Sequence, residues 1–436
     1  MTGLGQPLQT YRKNNDADRP ASIVLFAATL LNTALAFSNS LLFPVNSTIA
    51  SVAQLAITAA AIAVAVLRRP QLPLSFWIAC ACLGVFALLA SIWNELNSKH
   101  YYDLMVIPIF IIFGSVIRQF PFKAFKLIIA AVGVICFLDA FLVGLYTTLF
   151  NPLSFFRNTR VWVSDQLASG SDEMGLYLGA NRGGGSFFGF LTDHRIGGPF
   201  LEPLSLGYFA VVACMFFAVW FRHYPWQRAG AFAACLVLAL LADSRVPSAM
   251  IILFFGLSCL QSHIRMAWSA WGPAIVLVAA FFFYMMSDGR LAESETPRRI
   301  AITFDVVTST NIFELFSGAL NVSRFGDSGI LYLVYAATLP GMLLCLYLFS
   351  GVLSSTRLTP PILPLMASIY ITTTALFGGA FLSIKTSALL GIMLGAASVG
   401  AVRSKLKARS MRKQPAPFSQ PGYKPDLGAV GQQATN

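Results

Sequence analysis

Residues 200–221 read FLEPLSLGYFAVVACMFFAVWF, an apolar run whose only charge, Glu202, stands three positions from its start. A helix rises about 1.5 Å per residue and a bilayer core is about 30 Å thick, so a run of this length is what one crossing needs. Outward from it the same pattern recurs eleven times. Five such segments precede it, at 22–43, 47–67, 74–93, 101–117 and 124–150, and six follow, at 229–242, 246–260, 269–286, 329–350, 361–383 and 386–402. Of the 436 residues 56% are hydrophobic and only 11% are charged, against about 25% charged in a soluble domain. A soluble globular protein is excluded, and the pattern predicts an all-α polytopic membrane protein of about 12 transmembrane helices. The seventh and eighth segments are short and are joined by Asp243, Ser244 and Arg245. Two opposed helices fit the flanking charges better than one broken helix.

Lys and Arg are retained on the cytoplasmic side of short loops, and with the N-terminus inside every cytoplasmic connection is basic: Arg68 and Arg69; Arg118, Lys123 and Lys126; Arg222 and Arg228; Arg265; Arg357; and the tail from Arg403 to Lys413. An even number of crossings then puts both termini in the cytoplasm. The net charge of +12 would in a soluble protein direct attention to nucleic acid. Assigned by side, 19 of the 30 Lys and Arg but only 3 of the 18 acids lie inside, against 11 and 14 outside and Asp139 within the membrane. The excess is a topology signal and leaves nucleic-acid binding without support. The expected organisation is a cytoplasmic N-terminus over 1–21, a membrane domain over 22–402 with large external loops at 151–199 and 287–328, and a basic, disordered tail over 403–436. Ala34-Leu35-Ala36 has the form of a signal-peptidase site, but the apolar run continues to Phe43, so the first helix reads as an uncleaved anchor. The seven Cys all fall in apolar segments without a CxxC pair and read as packing residues.

Loops as long as these two are functional or disordered, and their mixture of aromatics, Arg and acids favours function. The first closes with Asp193-His194-Arg195-Ile196-Gly197-Gly198-Pro199-Phe200-Leu201-Glu202-Pro203. An acid here also suits the positive end of a helix dipole, yet an ionisable group at the hydrocarbon boundary is costly enough to point to function. At the 243–245 tip, Arg245 needs a partner: Asp243, or a phosphate, to which a planar guanidinium is well matched. The second loop carries Arg290, Arg298, Arg299 and Arg324, and the 3- and 4-residue steps of Ile300, Phe304 and Val307 fit an amphipathic helix on the membrane surface or a docking helix in a solvated loop. Asp139, in the middle of the fifth segment, lines a polar cavity or bonds a neighbouring helix. The run 179–186, GANRGGGS, lacks the GK[ST] ending of a phosphate loop and reads as a flexible loop.

The number of crossings, the two large external loops and three local patterns resemble the Wzy-type polysaccharide polymerases, which share an architecture with the O-antigen ligases. The patterns are Arg195-x-Gly-Gly-x-Phe-x-Glu-Pro, the Ser244-Arg245 hairpin, and Leu315-Phe316-Ser317-Gly318 followed by Asp327-Ser328-Gly329-x-Leu-Tyr. Pro340-Gly341 fits the family's usual ending of the tenth helix. The resemblance spans about residues 20–400, and within the group the overall look is close to the polymerases of xanthan-type gum systems.

The resemblance implies a bacterial inner-membrane glycosyltransferase in exopolysaccharide biosynthesis, working at the periplasmic face without metal or other cofactor. It would move a growing glycan from undecaprenyl pyrophosphate to the non-reducing-end hydroxyl of a new lipid-linked repeat, with flippase, chain-length and export proteins as partners. Such chemistry asks for fixed cations around the leaving pyrophosphate, for which Arg195, Arg245, Arg290, Arg298 and Arg299 are candidates. An attacking hydroxyl needs a base; Glu202 is the first choice, with Asp193, His194 and Asp327 behind it. O-antigen ligases typically carry a His late in the second long loop, whereas this chain has none after His263, which favours polymerase over ligase. The rival from another class is a twelve-helix flippase or transporter, but its substrate site would lie near the midplane on broken helices, and here the charges gather in the external loops.

Overall fold

The computed structural model describes residues 19–70, 72–117, 120–160, 175–177, 180, 192–265, 267–286, 295–321, 325, 327–351 and 361–413. Among them the regular structure is helical, with no strand. The first apolar segment forms α1 (Arg19–Thr29) and α2 (Leu31–Leu41), separated at Leu30. Next come α3 (Ser47–Arg68), started by the Asn46 side chain accepting from the Ile49 N–H, α4 (Leu74–Ala90) and α5 (Ser98–Val116). The fifth segment is also divided, into α6 (Phe122–Phe141) and α7 (Val143–Phe150), and α8 (Pro152–Thr159) opens the first long loop. A 3-10 turn, Gly198–Phe200, leads into α9 (Pro203–Trp220). Then follow α10 (Pro225–Leu241), α11 (Arg245–Cys259), α12 (Trp268–Met286), α13 (Glu295–Ser309), α14 (Ile312–Ser317), α15 (Gly329–Gly351), α16 (Ile362–Phe377) and α17 (Ile384–Lys413).

Among the described residues seven helices, with α1 and α2 taken together, are long and apolar enough to cross a membrane, and five shorter apolar helices accompany them. The chain is thus a helical, multi-pass membrane protein. Its apolar residues sort as lipid solvation requires: α9 and α15 are the most enclosed of the seven, whereas α3 and α12 are the least and turn Leu67, Phe282 and other large side chains outward. Helix α9 packs against α10, α11, α16 and α17, and α17 lies along α5. Lipid offers no hydrophobic drive for helix association, so close backbone approach through small residues takes its place. Gly391 and Gly395, four residues apart on α17, meet Gly114 and Phe110 on α5; a Cβ at Gly391 would stand 2.6 Å from the Phe110 Cβ, and one at Gly114 2.5 Å from the Ile392 carbonyl oxygen.

Two expectations change, and one open reading is decided. Helix α15 does not end at Pro340-Gly341: it kinks at Ala337 and Thr338, where the backbone leaves helical geometry, and resumes to Gly351, because Pro340 removes an N–H without stopping the helix. Asp139 is not at a helix midpoint in lipid; it lies near the end of α6, 1% exposed and enclosed by protein. And of the two readings of the Ile300, Phe304 and Val307 pattern, α13 takes the docking helix. Ile300, Thr303 and Val306 are buried where it packs on α12 and α16.

Candidate functional site

Residues 193–202 cross the end of the bundle where α9 begins, held from several helices at once. Both oxygens of Asp139 serve this loop. Oδ2 accepts from the Gly197 and Gly198 N–H groups, each at 2.8 Å, while Oδ1 faces His194 Nε2 at 3.0 Å. The Tyr146 hydroxyl donates to the Gly198 carbonyl at 2.8 Å, and Thr33 Oγ1 donates to the Pro199 carbonyl. The Ile196 N–H reaches the Leu241 carbonyl at the end of α10. Gly198 has φ +52°, and a Cβ there would come within 2.5 Å of Cys136 Sγ, so Gly198 is required by both torsion and space, and Gly197 by space alone, 2.7 Å from the Leu201 backbone. Leu201 adopts φ 64° without that freedom, which brings Glu202 to the first turn of α9.

Glu202 is the centre of a clamp. Its Oε1 ion-pairs with Arg160 at the end of α8, and its Oε2 meets Lys385 Nζ at 3.1 Å and the Ser205 hydroxyl at 2.8 Å. Lys385, whose side chain is 6% exposed, also donates to the Phe200 carbonyl and Ser205 Oγ. Arg160 stacks on the Phe156 ring at 4.3 Å and hydrogen-bonds Tyr177. A small apolar cluster that includes Phe155, Phe156, Leu176 and Leu201 fixes α8 beneath it. Burial alone would raise the Glu202 carboxyl, but Lys385, Arg160 and the Ser205 hydroxyl outweigh it and hold the group well below the usual carboxylate range. The Tyr177 phenol moves the other way, raised by burial and by Glu202.

Beside the clamp the α10–α11 hairpin offers its tip. Arg195 Nε donates to the Ala242 carbonyl at 3.1 Å and lies 3.9 Å from Asp243 Oδ2. Asp243, at φ 45°, therefore turns toward Arg195 and away from Arg245. Arg245 is exposed and has no ion-pair partner among the described residues. Gly207 abuts Ser244, with a virtual Cβ only 2.7 Å from the Ser244 Cβ, so the hairpin is seated against α9. From the second loop, Arg299 donates to the Phe377 carbonyl at the end of α16 at 2.7 Å and pairs with Asp327 at 2.7 Å. Arg298 beside it is exposed, again without an ion-pair partner among the described residues.

Arg195, Glu202, Arg299 and Asp327 therefore stand in polar contacts at this end of the bundle, Arg245 and Arg298 stand there exposed, and Arg290 lies outside the described residues. Two assignments change. A carboxylate bound by two cations and a hydroxyl is a poor proton acceptor, so Glu202 does not suit the role of base. His194 is 5% exposed with Nε2 against Asp139, which makes it a support for the loop. Asp193 is exposed and has no ion-pair partner among the described residues, and Asp327 is 67% exposed; of the candidate bases these two carboxylates are the exposed ones. Sequence reading missed Lys385 and Arg160. A lone Lys between two apolar segments does signal a buried cation in need of an acid, but nothing local names the acid. Among the described residues no three His, Cys, Asp or Glu side chains gather as a metal ion would require. No protein-family model matches the chain, and neither the curated proteins nor the solved structures yield a match.

Proposed function

We propose that this protein is a membrane glycosyltransferase that polymerises lipid-linked oligosaccharides, moving a growing glycan from undecaprenyl pyrophosphate to a new lipid-linked repeat at the periplasmic face of the bacterial inner membrane. The observation that carries the reading is the cationic ring at the Glu202 end of the bundle. Arg160, Arg195, Arg299 and Lys385 pair there with Glu202, Asp243 and Asp327, four cations to three carboxylates, and two further guanidinia, of Arg245 and Arg298, are exposed without an ion-pair partner among the described residues, an arrangement suited to a diphosphate diester. Arg pairs with phosphate through two parallel N–H bonds. Fixed cations at a departing pyrophosphate stabilise charge as it develops. In this reading Glu202 and Lys385 position the loop, Asp193 or Asp327 takes the proton of the attacking hydroxyl, and the sugar–phosphate bond breaks as the new glycosidic bond forms. The seven long and five shorter apolar helices support a twelve-crossing topology with both termini in the cytoplasm, and the basic cytoplasmic loops support its orientation. The acceptor and donor are the partners that matter, with the flippase and chain-length and export proteins beside them.

In cells lacking the native protein, Arg245→Ala and Arg298→Ala should insert at wild-type level yet leave lipid-linked single repeats accumulating on the periplasmic face, with polymer reduced about tenfold or more each. Normal polymer in both variants would remove the proposed pyrophosphate site. Accumulation on the cytoplasmic face would instead identify a flippase.

A further inference from the structure

Tyr208 lies six residues beyond Glu202 on α9, about 9 Å further along the helix axis. Its side chain is 1% exposed, and its hydroxyl has no hydrogen-bond partner among the described residues. A buried hydroxyl left unpaired loses its water without compensation, and each such group in a folded protein calls for an explanation. Packing does not supply one. The adjacent Phe209 is fully buried against Phe200, ring centroids 4.8 Å apart, so this part of α9 accommodates plain aromatic rings. Phe at 208 would fill the same space at lower free energy.

The surroundings indicate what the hydroxyl is for. Tyr208 meets Tyr370 of α16 edge-on, centroids 6.1 Å apart, and α16 ends at Phe377, the residue whose carbonyl holds Arg299. Arg299 lies within electrostatic range of Tyr208. The neighbouring Gly207 is seated on Ser244 of the hairpin that presents Arg245. The first two turns of α9 thus run from the Glu202 clamp past the Arg245 hairpin to Tyr208, whose ring meets that of Tyr370, and neither phenol hydroxyl has a hydrogen-bond partner among the described residues. We infer that Tyr208 is a ligand-contact residue whose hydroxyl donates a hydrogen bond to a phosphate oxygen of a polyprenyl diphosphate, at the end of the cationic ring nearest the helix core. This rests on the pyrophosphate-binding reading above.

The test is Tyr208→Phe in the full-length protein, purified in detergent and titrated with undecaprenyl diphosphate, and separately with inorganic pyrophosphate. Without ligand the variant should melt at or above the wild-type temperature, because an unsatisfied hydroxyl has been removed. Its affinity for undecaprenyl diphosphate should fall about tenfold or more, the worth of one hydrogen bond to a charged acceptor. A parallel fall for inorganic pyrophosphate places the contact on the phosphates. Wild-type affinity in Tyr208→Phe overturns the assignment and leaves the cationic site standing. A wild-type protein that binds neither probe overturns both.

Discussion

At Glu202, charge and burial meet in a single side chain. Breaking a buried ion pair by removing one partner leaves the other charge stranded and costs about 3–5 kcal/mol, whereas replacing both with neutral groups is often tolerated. Lys385→Met and Glu202→Gln should each lower the thermal stability of the detergent-purified protein by roughly that amount, and the double variant should recover much of the loss. Additive losses would show that the two side chains do not depend on each other. The pH dependence has a definite sign. The folded Glu202 carboxyl titrates below its ordinary value of 4.5, so its contribution is complete above that pH and is lost as acidification approaches the folded value. The stability gap between wild type and Glu202→Gln should hold from about pH 8 to about pH 5 and narrow below that. A gap that closes between about pH 7 and 5 would mean the carboxyl is not held low.

Among the elements, two contacts depend on the absence of a side chain. Gly198→Ala would force a methyl against Cys136 Sγ at a φ of +52°, displacing the 193–202 loop from Asp139. Because no bundle helix is broken, the variant should fold and insert but lose polymer formation, and proteolysis should cut sooner near the loop. The α5–α17 seam behaves differently. Gly391→Leu would drive a side chain into Phe110 and the Ile107 carbonyl, and overpacking of this kind costs about 1–3 kcal/mol or more. Reduced yield and a broadened elution profile on size exclusion should follow, with no selective effect on activity in the protein that remains; an unchanged profile would mean the two helices can part without loss. Here too the sequence held part of the answer. Gly391 and Gly395 stand at the spacing of a close helix contact, but which helix they approach depends on the packing of residues hundreds of positions away.

For the whole molecule, the proposed topology puts the Glu202 cluster and the basic loops on opposite membrane faces. In a background with the seven Cys replaced, Lys99→Cys, whose side chain is 75% exposed, should react with an impermeant thiol reagent in intact cells. Trp226→Cys, at a residue 88% exposed in the first turn of α10, should react only after permeabilisation. The reverse pattern would invert the protein and put the proposed chemistry in the cytoplasm. The same arrangement accounts for the distribution of polar groups: helices in lipid satisfy their own backbone, so the charged side chains gather where loops and helix ends meet water, as at the outer turns of α9, α11, α13 and α17.

The amino-acid sequence by itself determined that the chain is a helical membrane protein, where most of its helices run, and that Arg195, Glu202 and the 243–245 tip belong to an unusual polar region. Those conclusions follow from hydropathy and charge, which act over one helix length. It also marked Asp139 as anomalous. Only the tertiary structure decided what these groups touch. Asp139 holds the backbone of Gly197 and Gly198, Glu202 is bound by Arg160 and Lys385, Asp243 turns to Arg195, and Arg245 and Arg298 are left without ion-pair partners among the described residues. The reason is physical: a buried charge must be compensated, but its partner is chosen by which helix ends meet. Lys385 is 183 residues from Glu202 in the chain and 3.1 Å from it in the fold.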